Sequence, residues 1–158
     1  MRGNMKLVLK FVMVAILAGC AQLAPAQTTG GVKFFNKQNE HKCTVPMITG
    51  VYKFKSNNDI NCPNDTVYYF QLVNAPSAAV IRIEDAPNCD RRENYVAYRT
   101  IKNNLTMPES INVESGRPHQ PGDIVAPGLV LEGMFWNANN QLQGKVSCVE
   151  IDLNPPYK

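Results

Sequence analysis

Reactive chemistry in this chain would have to come from its five cysteines and two histidines. Cys20 stands apart from the other cysteines. It closes the run Leu17-Ala18-Gly19-Cys20, directly behind a leader that is first basic and then apolar. A thiol there can serve as a nucleophile, and the small residues before it leave room for an enzyme to approach. Cys43, Cys62, Cys89 and Cys148 are spread through the body of the chain, and no C-x-x-C occurs. In an oxidising compartment four such cysteines read as two disulfides, and a zinc site is the weaker alternative. Of the three ways to pair them, Cys62–Cys89 with Cys43–Cys148 is favoured, because the second bond would tie the first part of the fold to its last strand. His41 and His119 sit in no nucleophile motif, and the sequence has no G-x-S-x-G, H-E-x-x-H or phosphate-cradling glycine loop. Glu84 and Asp85 fall at an expected strand end, where adjacent residues point to opposite faces and a solvated state is expected for both. The expectation is therefore a protein without catalytic residues, metal or cofactor, and not an enzyme.

Binding is the remaining chemistry. The stretch Asn103–Gly128 contains Pro108, Pro118, Pro121 and Pro127 and is too irregular to read as one element. Long loops inside compact domains are usually functional or disordered. Within it, Arg117-Pro118-His119-Gln120-Pro121 is stiffened by two prolines, which lowers the ordering cost of presenting Arg117 and His119 to a partner. Trp136 is the only tryptophan, and Trp and Arg are the residues most enriched at interface hot spots. Arg117, His119 and Trp136 are thus the candidate partner-binding residues, against an alternative in which Trp136 is core and the loop merely mobile.

The leader carries Arg2, Lys6 and Lys10 and no acid, then the apolar run from Phe11 to Ala18. That run is far shorter than the roughly 20 apolar residues a membrane span needs, so it reads as a cleaved secretory signal. Leu17-Ala18-Gly19-Cys20 resembles a bacterial lipobox. The resemblance implies transfer of a diacylglyceryl group to the Cys20 sulfur and cleavage before it. Ala21 following Cys20 implies, by analogy with enteric bacterial lipoproteins, sorting to the outer membrane with the domain facing the periplasm. Ala24-Pro25-Ala26 offers an alternative small-x-small cleavage site that would give a secreted protein. The expected organisation is a signal peptide over 1–19, a flexible tether over 20–31, a β-domain over 32–153 and a tail over 154–158.

Without the leader the chain has thirteen Lys plus Arg against thirteen Asp plus Glu, so the formal +3 of the whole chain belongs to the signal. A neutral domain lacks the electrostatic footprint of a nucleic-acid binder. Short runs of β-branched and aromatic residues follow one another between turn clusters. They fall at 32–35, 45–48, 51–55, 66–73, 79–83, 95–101, 111–113, 129–136 and 145–151. No segment sustains a helical period, and many short strands between turn signals indicate an all-β fold, a sandwich or barrel.

The two halves of this β-domain follow one plan. Val32-Lys33-Phe34-Phe35 opens the first and Tyr69-Phe70-Gln71-Leu72 closes it; Val80 to Asp85 opens the second and Val149-Glu150-Ile151 closes it. This resembles the paired Greek keys of the βγ-crystallin family, and the resemblance implies a small Greek-key β-sandwich. In that family an Asn/Asp-rich box before the last strand of each key can bind calcium. Asn64-Asp65-Thr66 matches the acidic start of the box, with Asp59 nearby, while Gln143 to Cys148 loses both acidic positions. Asx-turn duty is therefore expected of Asp59, Asn64 and Asp65. The functional expectation is an envelope lipoprotein with a non-catalytic protein-binding domain, such as an inhibitor or immunity protein against a periplasmic toxin or hydrolase. A structural or assembly lipoprotein, or a calcium- or glycan-binding module, is the alternative.

Overall fold

A computed structural model describes residues 30–55, 60–137 and 140–155. Cys20, most of the expected tether and Asp59 lie outside the described residues. The described chain contains no helix and ten strands: β1 (Gly31–Phe35), β2 (His41–Pro46), β3 (Gly50–Lys53), β4 (Tyr69–Val73), β5 (Val80–Glu84), β6 (Tyr95–Thr100), β7 (Ile111–Asn112), β8 (Ile124–Ala126), β9 (Leu129–Phe135) and β10 (Cys148–Asp152). They form two antiparallel sheets, ordered β2-β1-β4-β7 and β3-β10-β5-β6-β9-β8, and the all-β sandwich expectation holds. The third strand of each half pairs in the other half's sheet. β3 lies against β10, and β7 lies against β4.

Alternation sets the core. Val32 and Phe34 on β1, Phe70 and Leu72 on β4, Ile81 and Ile83 on β5, Val96 and Tyr98 on β6, and Val149 and Ile151 on β10 all face inward and are buried. Their neighbours face out, as the period of two requires. Phe70 and Tyr98 meet across the two sheets with ring centroids 5.1 Å apart. On β3 the pattern places Val51 outward with Lys53, while Phe54 just beyond it is buried and meets Phe34 edge-on at 5.3 Å.

Several expected boundaries move. The strand expected from Thr66 begins at Tyr69, because Val67 and Tyr68 have other partners: the Val67 carbonyl accepts from Gly144 N–H, and the Tyr68 carbonyl from Val113 N–H. β2 begins at His41, inside a stretch expected to be loop, and ends at Pro46 on a sheet edge, where proline is tolerated. β8 has no counterpart among the expected strands; it folds back as a hairpin on β9.

The disulfide expectation is overturned. Cys43 pairs with Cys62 and Cys89 with Cys148, at Cα separations of 5.1 and 5.6 Å. Cys43 lies on the edge strand of one sheet and Cys148 within the other, and each finds its partner in a nearby loop instead. Cys148 is instead opposite Glu84 across the β10–β5 ladder, where the 85–94 loop folds over it and delivers Cys89.

The sandwich has two poles. At one lie Gly30 and the links 46–50, 74–79, 100–105 and 126–129; at the other lie 36–40, 54–55, 60–68, 85–94, 136–137 and 140–147. Gly30 is wedged at the first pole: a Cβ there would stand 2.3 Å from the Asn74 carbonyl oxygen, so only glycine fits.

Peptide mapping of the unreduced protein should recover Cys43–Cys62 and Cys89–Cys148. The sequence separations are 19 and 59. On loop entropy alone, removing the Cys89–Cys148 bond by a double serine substitution should destabilise the fold by about 1 kcal/mol more than removing the other. Denaturant midpoints of the two variants would measure the difference.

Candidate partner-binding site

The loop between β7 and β8 is bonded into the core. The buried Tyr98 hydroxyl donates to the Val113 carbonyl and accepts the Gly116 N–H, both at 2.9 Å. Gly116 itself is buried against the core, where an added Cβ would stand 2.8 Å from Leu131 and 2.9 Å from Val96. Glu114 reaches back across the molecule, its Oε1 accepting the backbone N–H groups of Leu142 and Gln143. Asn112 Oδ1 accepts from Glu114 N–H at 2.7 Å and from Gln143 Nε2 at 3.1 Å. Successive turns then carry the chain outward, with Arg117 N–H on the Glu114 carbonyl at 2.8 Å and His119 N–H on the Gly116 carbonyl at 3.0 Å. The alternative of a merely mobile loop does not fit this bonding.

Arg117 lies with its guanidinium 4.9 Å from the centre of the Trp136 ring, a cation–π contact. Its side chain stays 46% exposed, and Glu114 Oε2 is 3.6 Å from one guanidinium nitrogen. Trp136 is half-buried at the edge of the core, its indole N–H directed to the Met134 sulfur at 3.1 Å. His119 shares a shallow recess of about 640 Å³ with Arg117, Pro118, Ser115, Asn112 and Gln143. Its Nδ1 is 3.9 Å from an Asp123 carboxylate oxygen. The three residues singled out in the sequence therefore fall on one face. The contact holds the guanidinium beside the ring while the side chain stays partly exposed, which suits pairing with acceptors such as carboxylates and amides.

His41 is elsewhere. It bonds Thr44 Oγ1 at 2.9 Å and packs edge-on against Phe35. Asn64 and Asp65 lie in an exposed turn, Asp65 with a left-handed φ of 55°. Among the described residues no group of three or more His, Cys, Asp or Glu is placed to hold a metal ion.

The expectation that Glu84 is solvated is also overturned: it is 0% exposed. It sits on the outward side of β5, but the disulfide-pinned 85–94 loop covers it. Arg91 N–H donates to one carboxylate oxygen at 3.2 Å, and Arg82 approaches the other at 3.5 Å. Arg82 also pairs closely with Glu150, which Arg91 approaches at 3.7 Å. Burial raises the Glu84 pKa despite these donors, and burial raises Asp85 as well. The sequence signal that could have found this site is Cys89, which commits the loop to closing over the sheet.

Comparison with known proteins returned nothing: no protein-family model, curated protein or solved structure matches this chain.

Two outcomes are expected. Tyr98→Phe leaves Val113 and Gly116 without their buried partner, so it should cost about 1–3 kcal/mol of stability. It should also change the emission of Trp136, the only tryptophan, as the Arg117 turn loosens. The second concerns pH. The folded state keeps the Glu84 proton to higher pH than the unfolded chain does. The resulting stabilisation is complete below the unfolded value of about 4.3 and is lost as pH rises through the raised folded value. Thermal unfolding from about pH 4 to pH 7 should therefore show Glu84→Gln gaining stability relative to wild type as pH rises. A constant difference would remove Glu84 from the pH dependence.

Proposed function

We propose that this chain is a lipid-anchored envelope protein whose β-sandwich binds another protein through the Arg117–Trp136 face. The stack is the observation that carries this reading. A long cation is held on an indole by a loop whose backbone is bonded into the core, so little is left to order on binding. Arg and Trp at the centre of a well-supported face are what interface hot spots are made of. The two disulfides suit an oxidising compartment, in agreement with export directed by the leader and acylation of Cys20. An inhibitor or immunity protein acting on a periplasmic toxin or hydrolase is the form of this function we favour. The exchange of third strands between the sheets supports the paired Greek-key plan of the βγ-crystallin resemblance, with the β8–β9 hairpin as an addition to the second half.

The anchor and the binding face are tested separately. Cys20→Ser should move the protein from the membrane to the soluble fraction and abolish incorporation of labelled palmitate. Affinity capture from envelope extracts would then use the soluble Cys20→Ser chain as bait, with a parallel bait carrying Arg117→Ala and His119→Ala. One toxin- or hydrolase-like protein, bound at least tenfold more weakly by the second bait, is the expected result, since hot-spot truncations cost about 2 kcal/mol or more. A set of membrane-complex subunits captured equally by both baits would favour an assembly role and remove this face.

A further inference from the structure

We propose that the Gly30 pole of the sandwich rests on the lipid surface, with Ile48 and Ile101 in the head-group layer and the Arg117–Trp136 face turned away from it. This rests on the lipid-anchor reading and adds an orientation to it.

The point of exit comes first. The chain enters the sandwich at Gly30, which is wedged against Asn74 and whose carbonyl accepts the Met47 N–H at 2.8 Å. Ten residue steps separate it from Cys20, a reach of at most about 35 Å. The surface there is the second observation. Ile48 and Ile101 are 53% and 54% exposed, and both belong to links at this pole. Ile48 follows Met47, and the Ile101 N–H donates to the Gly128 carbonyl of the β8–β9 turn. Of the other exposed large apolar residues, Val51 and Ile124 lie on the flanks and Phe135 at the far end.

Charge is the third observation. In the segments 46–50, 74–79, 100–105, 126–129 and 152–155 the only charged residues are Lys102 and Asp152. Lys102 follows Ile101, and its long stem can lie on apolar surface with the ammonium among phosphates. The opposite pole carries Glu40, Asp90, Arg91, Arg92 and Glu93 in its loops and Lys42 at the start of β2. Arg99 and Glu132, which line a recess beside Ile101, are paired with each other at 2.7 Å. Pressing the opposite end against lipid would desolvate many charges; pressing the Gly30 pole desolvates fewer. Two isoleucines bind a bilayer weakly by themselves, but a short anchor makes the encounter intramolecular, at an effective concentration of order mM.

The test uses the acylated mature protein in vesicles of phosphatidylethanolamine and phosphatidylglycerol containing lipids with brominated acyl chains. Wild-type Trp136 reports the far pole. Ile101→Trp and Ile48→Trp, each with Trp136→Phe, report the Gly30 pole. Both reporters at the Gly30 pole should be quenched at least about twofold, with Trp136 unaffected, as expected for side chains seated in the head-group layer. A measurement without substitution runs alongside: amine-reactive labelling of the wild type should find Lys102 protected by vesicles and Lys42 not.

Vesicle-bound protein with neither quenching nor Lys102 protection overturns the orientation and leaves the anchor standing. An unmodified Cys20 in the mass of the N-terminal peptide removes the anchor, and this proposal with it. Lys102 protection that grows with protein concentration in detergent alone would assign the pole to a second copy and overturn the lipid contact.

Discussion

The exchange of third strands between the sheets is the constraint on which the molecule depends. β3 completes the sheet built mostly by the second half, and β7 completes the sheet built by the first. Neither half can then satisfy its backbone hydrogen bonds or cover its apolar face without the other. The core reflects this, since Phe34, Phe70 and Leu72 from one sheet pack with Ile83, Tyr98 and Ile151 from the other in a single cluster. The candidate binding face is downstream of the same exchange. β7 draws the following loop onto the rim of the sandwich, and only there can the Tyr98 hydroxyl hold Val113 and Gly116.

Charge is distributed as unevenly as the strands are regular. Gly30 enters beside loops of small and polar residues, whereas the far pole gathers more of the ionised side chains and both the Cys89 loop and the Arg117 turn. The Glu84–Arg82–Glu150–Arg91 cluster belongs to that end and lies partly under the disulfide-closed loop. Isolated buried carboxylates are costly, and this one is retained with a guanidinium on one oxygen and a backbone N–H on the other. A neutral total therefore conceals a strongly polarised molecule, with one end suited to an apolar or neutral neighbour and the other to water or a polar partner.

Much of the fold was legible because strand signals are local. Runs such as 79–83, 95–101 and 129–136 announce themselves by β-branched and aromatic residues between turn clusters. The choice of Arg117, His119 and Trp136 also came from residue type and proline spacing, and they do share a face. What was not legible was their relation. Nothing in the sequence says that Arg117 stacks on Trp136, because that contact depends on where β9 ends relative to the turn after β7. The burial of Glu84 was not legible for a similar reason: a strand-end carboxylate is usually in water, and here the ten-residue 85–94 loop closes over it.

The sequence by itself determined the all-β class, the place of most strands, the four cysteines of the body and the stiff, proline-marked turn at Arg117, because these rest on residue type and on neighbours a few residues apart. Only the tertiary structure decided which sheet each strand joins, which cysteines meet, that Glu84 is enclosed, and that the Gly30 entry and the Arg117–Trp136 stack fall at opposite poles. Those outcomes depend on contacts between segments distant in the chain. Such contacts are selected by the joint burial of two sheets, to which no single stretch of sequence holds the key.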